Sequence, residues 1–183
     1  MSLTETPVCN FGEKIKEFKL LSTEDTFISF KEIKGQNGTL IAFVCNHCPY
    51  VKAIIKELVE VTNRLSKLGI NSVAIMSNDT NNYPEDSFEN MKKFSNINNF
   101  KFPYLYDETQ KIAKNYGAVC TPDFFGYNKN DELQYRGRIR EMKNLKQTEN
   151  ANDLLDAMEL IAKTSNGPKH QYPSMGCNIK WKK

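Results

Sequence analysis

No apolar run in this sequence approaches the ~20 residues that span a bilayer, and the mean hydropathy is −0.58. The opening residues, MSLTETPVCNFGEKIKEF, lack the basic start and apolar stretch of a signal peptide. No sign of charge dominates: 25 Lys and Arg against 22 Asp and Glu leave +3. So small a surplus argues against nucleic acid or an anionic membrane as partner. There is no repeat and no segment of low complexity. These absences point to a cytosolic (cytoplasmic) chain, where thiols stay reduced. What is present is an odd number of cysteines, five, in 183 residues. That length buries a core without disulfide staples and fits one domain over residues 1–183. A disulfide here is therefore expected to be catalytic or sensing rather than structural.

The hydrophobic pattern orders the chain. Phe18–Leu21 and Phe27–Phe30, parted by polar residues, read as an N-terminal hairpin. Leu40–Val44 is a continuous apolar run of strand length, as a strand buried on both faces requires. Val51, Ile54, Ile55, Leu58, Val61, Leu65 and Leu68 then recur at helical spacing up to Gly69. Pro49 fits the first turn of that helix, where an N–H has no partner to lose. A strand over Asn71–Met76, a helix from Pro84 to about Asn96, a short strand over Phe102–Tyr106 and a short helix over Thr109–Tyr116 follow. Pro122–Tyr127 and Glu132–Ile139 read as a hairpin, Leu154–Ile161 as a last helix. The tail from Thr164 has no period, yet its Tyr172, Met175, Ile179 and Trp181 predict that it packs on the body. Strands alternating with helices give an α/β fold, a mixed central sheet flanked by helices.

The chemistry concentrates at Cys45-Asn46-His47-Cys48, between the buried strand and the long helix. A first cysteine at the helix N-terminus meets unpaired N–H groups that favour its thiolate. The second lies three residues on, within disulfide reach. His47 adds a group that can be cationic near neutral pH. So short a loop makes a poor staple. Zinc would need four ligands, and no second Cys/His pair has matching spacing, so neither metal nor cofactor is expected. Cys120-Thr121-Pro122 is an X-Pro bend between helix and strand. Cys120 reads as a small buried hydrophobe, Cys9 and Cys177 as thiols outside the chemistry, and His170 as solvated. Cys9 is expected near a mobile N-terminus.

Three motifs carry a resemblance: Phe43 to Val51, Gly117 to Phe125, and Tyr135 to Ile139; the tail Pro173 to Trp181 adds to it. The chain resembles the peroxiredoxin-like, AhpC/TSA-related thioredoxin-fold proteins of the CxxC-containing, TlpA-like kind. The resemblance implies a thioredoxin-like fold extended by the N-terminal hairpin and the C-terminal tail. It implies a thiol–disulfide oxidoreductase with Cys45 as the exposed attacking thiol and Cys48 resolving. Pro122 would be cis and beside the cysteines, with the Thr121 backbone offered to substrate. The partner would be a disulfide- or dithiol-containing protein or a small thiol. The same resemblance carries an alternative, a peroxidase with Cys48 attacking peroxide; a non-enzymatic redox sensor is a third reading. Peroxidase chemistry wants Thr or Ser three residues before the attacking cysteine, where this chain has Cys45. It also wants an arginine over the thiolate; Arg136 and Arg138 are the nearest in pattern but read as surface residues of a strand. A buried acid six residues before the first cysteine is replaced by Thr39, which leaves Asp123, next to Pro122, as candidate proton acceptor.

Overall fold

Along the strand Gly38–Phe43, Leu40 and Ala42 enter one apolar cluster while Ile41 and Phe43 enter another. Both clusters are buried because successive side chains of a strand leave on opposite faces. A strand buried on both sides must lie mid-sheet with helices above and below. A computed structural model describing residues 3–183 has that architecture. Its elements are β1 (Leu3–Glu5), β2 (Lys19–Ser22), β3 (Phe27–Ser29), α1 (Phe30–Ile33), β4 (Gly38–Phe43), α2 (Pro49–Ser66), β5 (Ile70–Met76), α3 (Phe88–Ile97), β6 (Tyr104–Tyr106), α4 (Lys111–Tyr116), β7 (Cys120–Thr121), β8 (Asp123–Asn128), β9 (Leu133–Gly137), β10 (Met142–Lys143), β11 (Lys146–Gln147), α5 (Asp153–Thr164) and β12 (Met175–Asn178).

Seven strands form the main sheet in the order β3-β2-β6-β5-β4-β8-β9. β4, β5 and β6 are mutually parallel, and the flanking pairs are antiparallel, so the sheet is mixed as expected. The face of Leu40 and Ala42 is covered by α2, α3 and α5; the face of Ile41 and Phe43 by α1 and α4. α2 buries Val51, Ile54, Ile55, Leu58, Val61 and Leu65, each contributing roughly 1.5–3 kcal/mol. Gly69, at φ +74, lets the chain turn from that helix into β5.

One register decides where chemistry occurs. Phe43, the last residue of β4, pairs with Asp123, the first of β8, in antiparallel sense. Whatever follows β4 therefore meets whatever precedes β8. The first is Cys45–Cys48 and the second is Thr121–Pro122.

Two expectations change, and one element is new. The helix from Pro84 is broken: a 3-10 turn over Pro84–Asp86 ends at an extended Ser87 before α3 begins. The break lets the Asp86 carboxylate turn inward, as described below. The N-terminus is not loose, because β1 pairs with β12, which pairs with β7. That second, three-stranded sheet is where the tail packs. A small hairpin, β10–β11, also stands after β9, its turn formed by Asn144 and Leu145 at φ +50 and +60.

Candidate redox site

Beyond β4 the chain makes a bend, and Cys48 becomes the N-cap of α2, with Pro49 as its first helical residue. The fixed φ of proline starts the helix there. Cys48, not Cys45, is thus the cysteine at the helix N-terminus. Its sulfur receives hydrogen bonds from Cys45, from the backbone N–H of Val51 and from Cys177, and these hold its pKa down to about 5 despite burial. Cys45 is pushed well above the ordinary 9.0, first by its hydrogen bond to Cys48, then by burial and the negative charge of Asp86. Cys45 is also not the exposed thiol the resemblance implies. It is 1% exposed and Cys48 0%, because the Thr121 loop and the tail close over them.

The Thr121–Pro122 bond is cis, and Thr121 touches both sulfurs. Its hydroxyl lies 3.3 Å from Cys45 Sγ, and its carbonyl oxygen lies 3.2 Å from Cys48 Sγ, placed to accept a thiol proton. The pair therefore has two proton arrangements. With the proton on Cys45, the Cys48 thiolate is held by Val51, Cys177 and Cys45 itself. With the proton on Cys48, its S–H points to the Thr121 carbonyl while the Thr121 hydroxyl donates to a Cys45 thiolate.

The buried acid is Asp86, 0% exposed. One carboxylate oxygen accepts from the N–H of Asn46 at 2.8 Å and of His47 at 3.3 Å; the other accepts from Asn78 Nδ2 at 2.8 Å. His47 Nδ1 stands 2.7 Å from that second oxygen. These bonds lower the Asp86 pKa against the effect of burial, and they raise that of His47. His47 also stacks on Tyr83, ring centroids 5.7 Å apart. Asn46 is fixed in turn by Tyr104, whose hydroxyl donates to Asn46 Oδ1 at 2.9 Å. Ligand atoms of Cys45, His47 and Asp86 lie within 4.8 Å of one another, donor types that zinc accepts. The imidazole and carboxylate already satisfy each other, which suits a proton-handling dyad.

Asp123 is buried, but Arg136 takes it up, with Nη2 2.9 Å and Nε 3.4 Å from the two carboxylate oxygens. Burial, offset in part by Arg136, raises its pKa to about 6. Arg136 is no surface residue: it is 8% exposed and lies over the Phe125 ring at 4.5 Å. Arg138 binds Asp153 at 2.7 Å and stacks on Tyr172 at 4.4 Å. Both guanidinium groups are thus committed to partners other than the sulfurs.

A sequence model of the AhpC/TSA family matches residues 11–142. The chain belongs to the AhpC/TSA family. Among solved structures, an uncharacterized conserved protein from Geobacillus kaustophilus is 38% identical, with TM-score 0.95 over 100% of this chain and 97% of that one. A hypothetical protein from Sinorhizobium meliloti 1021 is 33% identical, with TM-score 0.93 over 98% of each chain. The thioredoxin domain of a thiol-disulfide oxidoreductase from Bacteroides vulgatus shares the fold at 14% identity, TM-score 0.64, over 83% of this chain and 97% of that one. No curated protein sequence matches.

In this AhpC/TSA protein the thioredoxin-like sheet brings Cys45, His47, Cys48, Thr121 and Pro122 together. Cys120 lies in the core as expected, 0% exposed, its thiol facing the Pro122 carbonyl at 3.7 Å. Cys9 is half-buried against the second core cluster, near Arg136 and Gln171, with its pKa raised to about 11 by burial. Asp86 is the residue that pattern reading misses, and Cys177, expected to lie outside the chemistry, instead hydrogen-bonds to Cys48. Within Pro84-Glu85-Asp86 the acid looks like an ordinary first-turn residue, and no local period marks Cys177. Beside the site a groove of about 420 Å³ is lined by Tyr50, Ile54, Pro122, Met142, Leu145 and Met175. Arg138 also borders it. Leu145, a bulky side chain held at positive φ, is presented there by the β10–β11 turn.

Proposed function

We propose that the protein is a thiol–disulfide oxidoreductase whose redox centre is Cys45 and Cys48. The observation that carries this reading is the placement of both sulfurs against Thr121, Cys45 Sγ 3.3 Å from its hydroxyl and Cys48 Sγ 3.2 Å from its carbonyl oxygen. The monoanionic pair is both nucleophile and acid. As the proton passes to Cys48, the Cys45 thiolate attacks a substrate disulfide RS–SR′ and forms Cys45–SR. The departing R′S⁻ takes the proton from Cys48 and leaves as R′SH. The Cys48 thiolate then attacks Cys45 Sγ and expels RS⁻. The balance is one dithiol monoanion plus RSSR′ giving the protein disulfide, R′SH and RS⁻.

The groove beside Pro122, where Tyr50, Ile54, Met142, Leu145 and Met175 meet Arg138 and Arg140, supports a protein or peptide disulfide as substrate. The His47–Asp86 dyad serves as a proton reservoir next to Cys45. The work is placed in the cytoplasm, where a dithiol is kept reduced. The peroxidase alternative is weaker, since Cys45 replaces the hydroxyl that would bind peroxide, and Arg136 and Arg138 are held by Asp123 and Asp153.

Cys48→Ser tests the assignment. Incubated with a peptide disulfide, it is expected to stall as a mixed disulfide at Cys45, identified by peptide mapping. Rapid peroxide consumption that survives Cys45→Ser and is abolished by Cys48→Ser would establish the peroxidase instead.

A further inference from the structure

The third thiol at the site comes from the added sheet. Cys177 in β12 pairs directly with Thr121 in β7, the residue whose carbonyl oxygen lies 3.2 Å from Cys48 Sγ. The neighbouring Gly176 crowds the same oxygen: a Cβ there would stand 2.0 Å from Thr121 O. Only glycine lets β12 come so close. The Cys177 side chain and backbone are then both within hydrogen-bonding range of Cys48, and Cys177 itself is 5% exposed. Two thiols thus flank Cys48, Cys45 on the preceding turn and Cys177 across the Thr121 loop.

We propose that Cys177 is a second disulfide partner of Cys48, so that oxidation passes from Cys45–Cys48 to Cys48–Cys177. The idea rests on the oxidoreductase reading and extends it. Cys177 sulfur attacks Cys48 Sγ, the Cys45–Cys48 bond breaks, and the proton of Cys177 goes to the departing Cys45 sulfur. No outside oxidant or reductant is consumed, since one disulfide and one thiol give one disulfide and one thiol. Burial and the negative charge of Asp86, which persist when Cys48 is bonded to Cys177, favour the neutral thiol at Cys45. The exchange returns Cys45 to its thiol form while the protein stays oxidised. It also moves the disulfide onto β12, whose Met175 borders the groove.

Peptide mapping without reduction reads this directly. Trypsin leaves Cys45 and Cys48 together in residues 35–52 and places Cys177 in residues 170–180. The full chain is oxidised with glutathione disulfide, alkylated and digested. Cys45→Ser is expected to give residues 35–52 linked to 170–180 as the dominant species. Wild type is expected to form the internal disulfide first and the linked pair after it, and Cys177→Ser to form only the internal one. Cys45→Ser recovered with both Cys48 and Cys177 alkylated, or with Cys48 linked to Cys120, would overturn the relay. Wild type needs no substitution that could disturb folding: if it forms Cys45–Cys48 and never the linked peptides, the relay alone fails. If it forms neither disulfide, the oxidoreductase reading falls with it.

Discussion

The pH dependence of the cysteine pair tests the electrostatics most sharply. With Cys48 held down to about 5 and Cys45 pushed well above 9.0, the pair loses one proton near pH 5 and keeps the other through neutrality. As coupled sites they titrate as a unit. Between pH 7 and pH 5 the thiolate fraction then falls only about twofold, whereas a thiol at 9.0 loses about 100-fold. Absolute rates discriminate less. A thiolate about four pKa units weaker as a base is ~40–100-fold less nucleophilic, which cancels its roughly 100-fold larger population at pH 7. The assay is therefore the ratio of initial rates at pH 7 and pH 5 with an aromatic disulfide, a ratio in which burial of the sulfurs cancels. We expect about 2 for wild type. Cys48→Ser removes the group that carries the charge and leaves Cys45 facing Asp86, so its ratio should approach ~100. A wild-type ratio near 100 would refute the shared-proton site. Stability should follow with the same sign. The Cys48 pKa lies below its unfolded value of 9.0, so its stabilisation is lost as pH falls through about 5, while the raised Cys45 contributes stability that is present below pH 9 and lost as pH rises beyond it.

Other substitutions probe single supports. Asp86→Asn should return the raised His47 titration toward its ordinary value, seen by NMR, and cost about 2–4 kcal/mol in urea unfolding, because Asn cannot accept all the bonds the carboxylate does. Arg136→Met leaves Asp123 buried without its cation and should cost about 3–5 kcal/mol, less below pH 6, where Asp123 is protonated. Gly176→Ala drives a methyl into Thr121 O and should cost about 1–3 kcal/mol, with faster amide exchange in β12; unchanged protection there would show that the close approach is unimportant. The stabilised thiolate predicts a reduction potential above the roughly −270 mV of thioredoxin, measured against a glutathione couple. Metal analysis of the reduced protein should find no stoichiometric zinc; one equivalent would give Cys45, His47 and Asp86 a different role.

Those parts of the fold that bury a periodic face are readable in the sequence. Leu40–Val44 and the apolar stripe from Val51 to Leu65 place β4 and α2, and with them the CxxC at their junction. Gly69 and Gly117 mark true stops, both at positive φ. What eluded sequence reading depends on long-range pairing. β1 and β12 are three and four residues long and have no period, so their partnership exists only because each finds the other and β7. The choice of Cys48 over Cys45 as the charged sulfur turned on where α2 begins, a start set by Pro49 rather than by the first cysteine. Asp86 reaches the site only by breaking the helix that its own sequence neighbourhood suggests.

The three-stranded β1-β12-β7 sheet has a mechanical meaning. Leu3 pairs with Cys177, and Cys177 pairs with Thr121, so the N-terminal segment, the tail and the redox loop are coupled in series. A load applied to the tail is shared by its bonds to Arg138 and Asp79, whose N–H groups donate to the Tyr172 and Lys180 carbonyls, and by its pairing with β7. Tension there draws on the Thr121 carbonyl that faces Cys48, while the strands and helices that carry the cysteines stay anchored in the core.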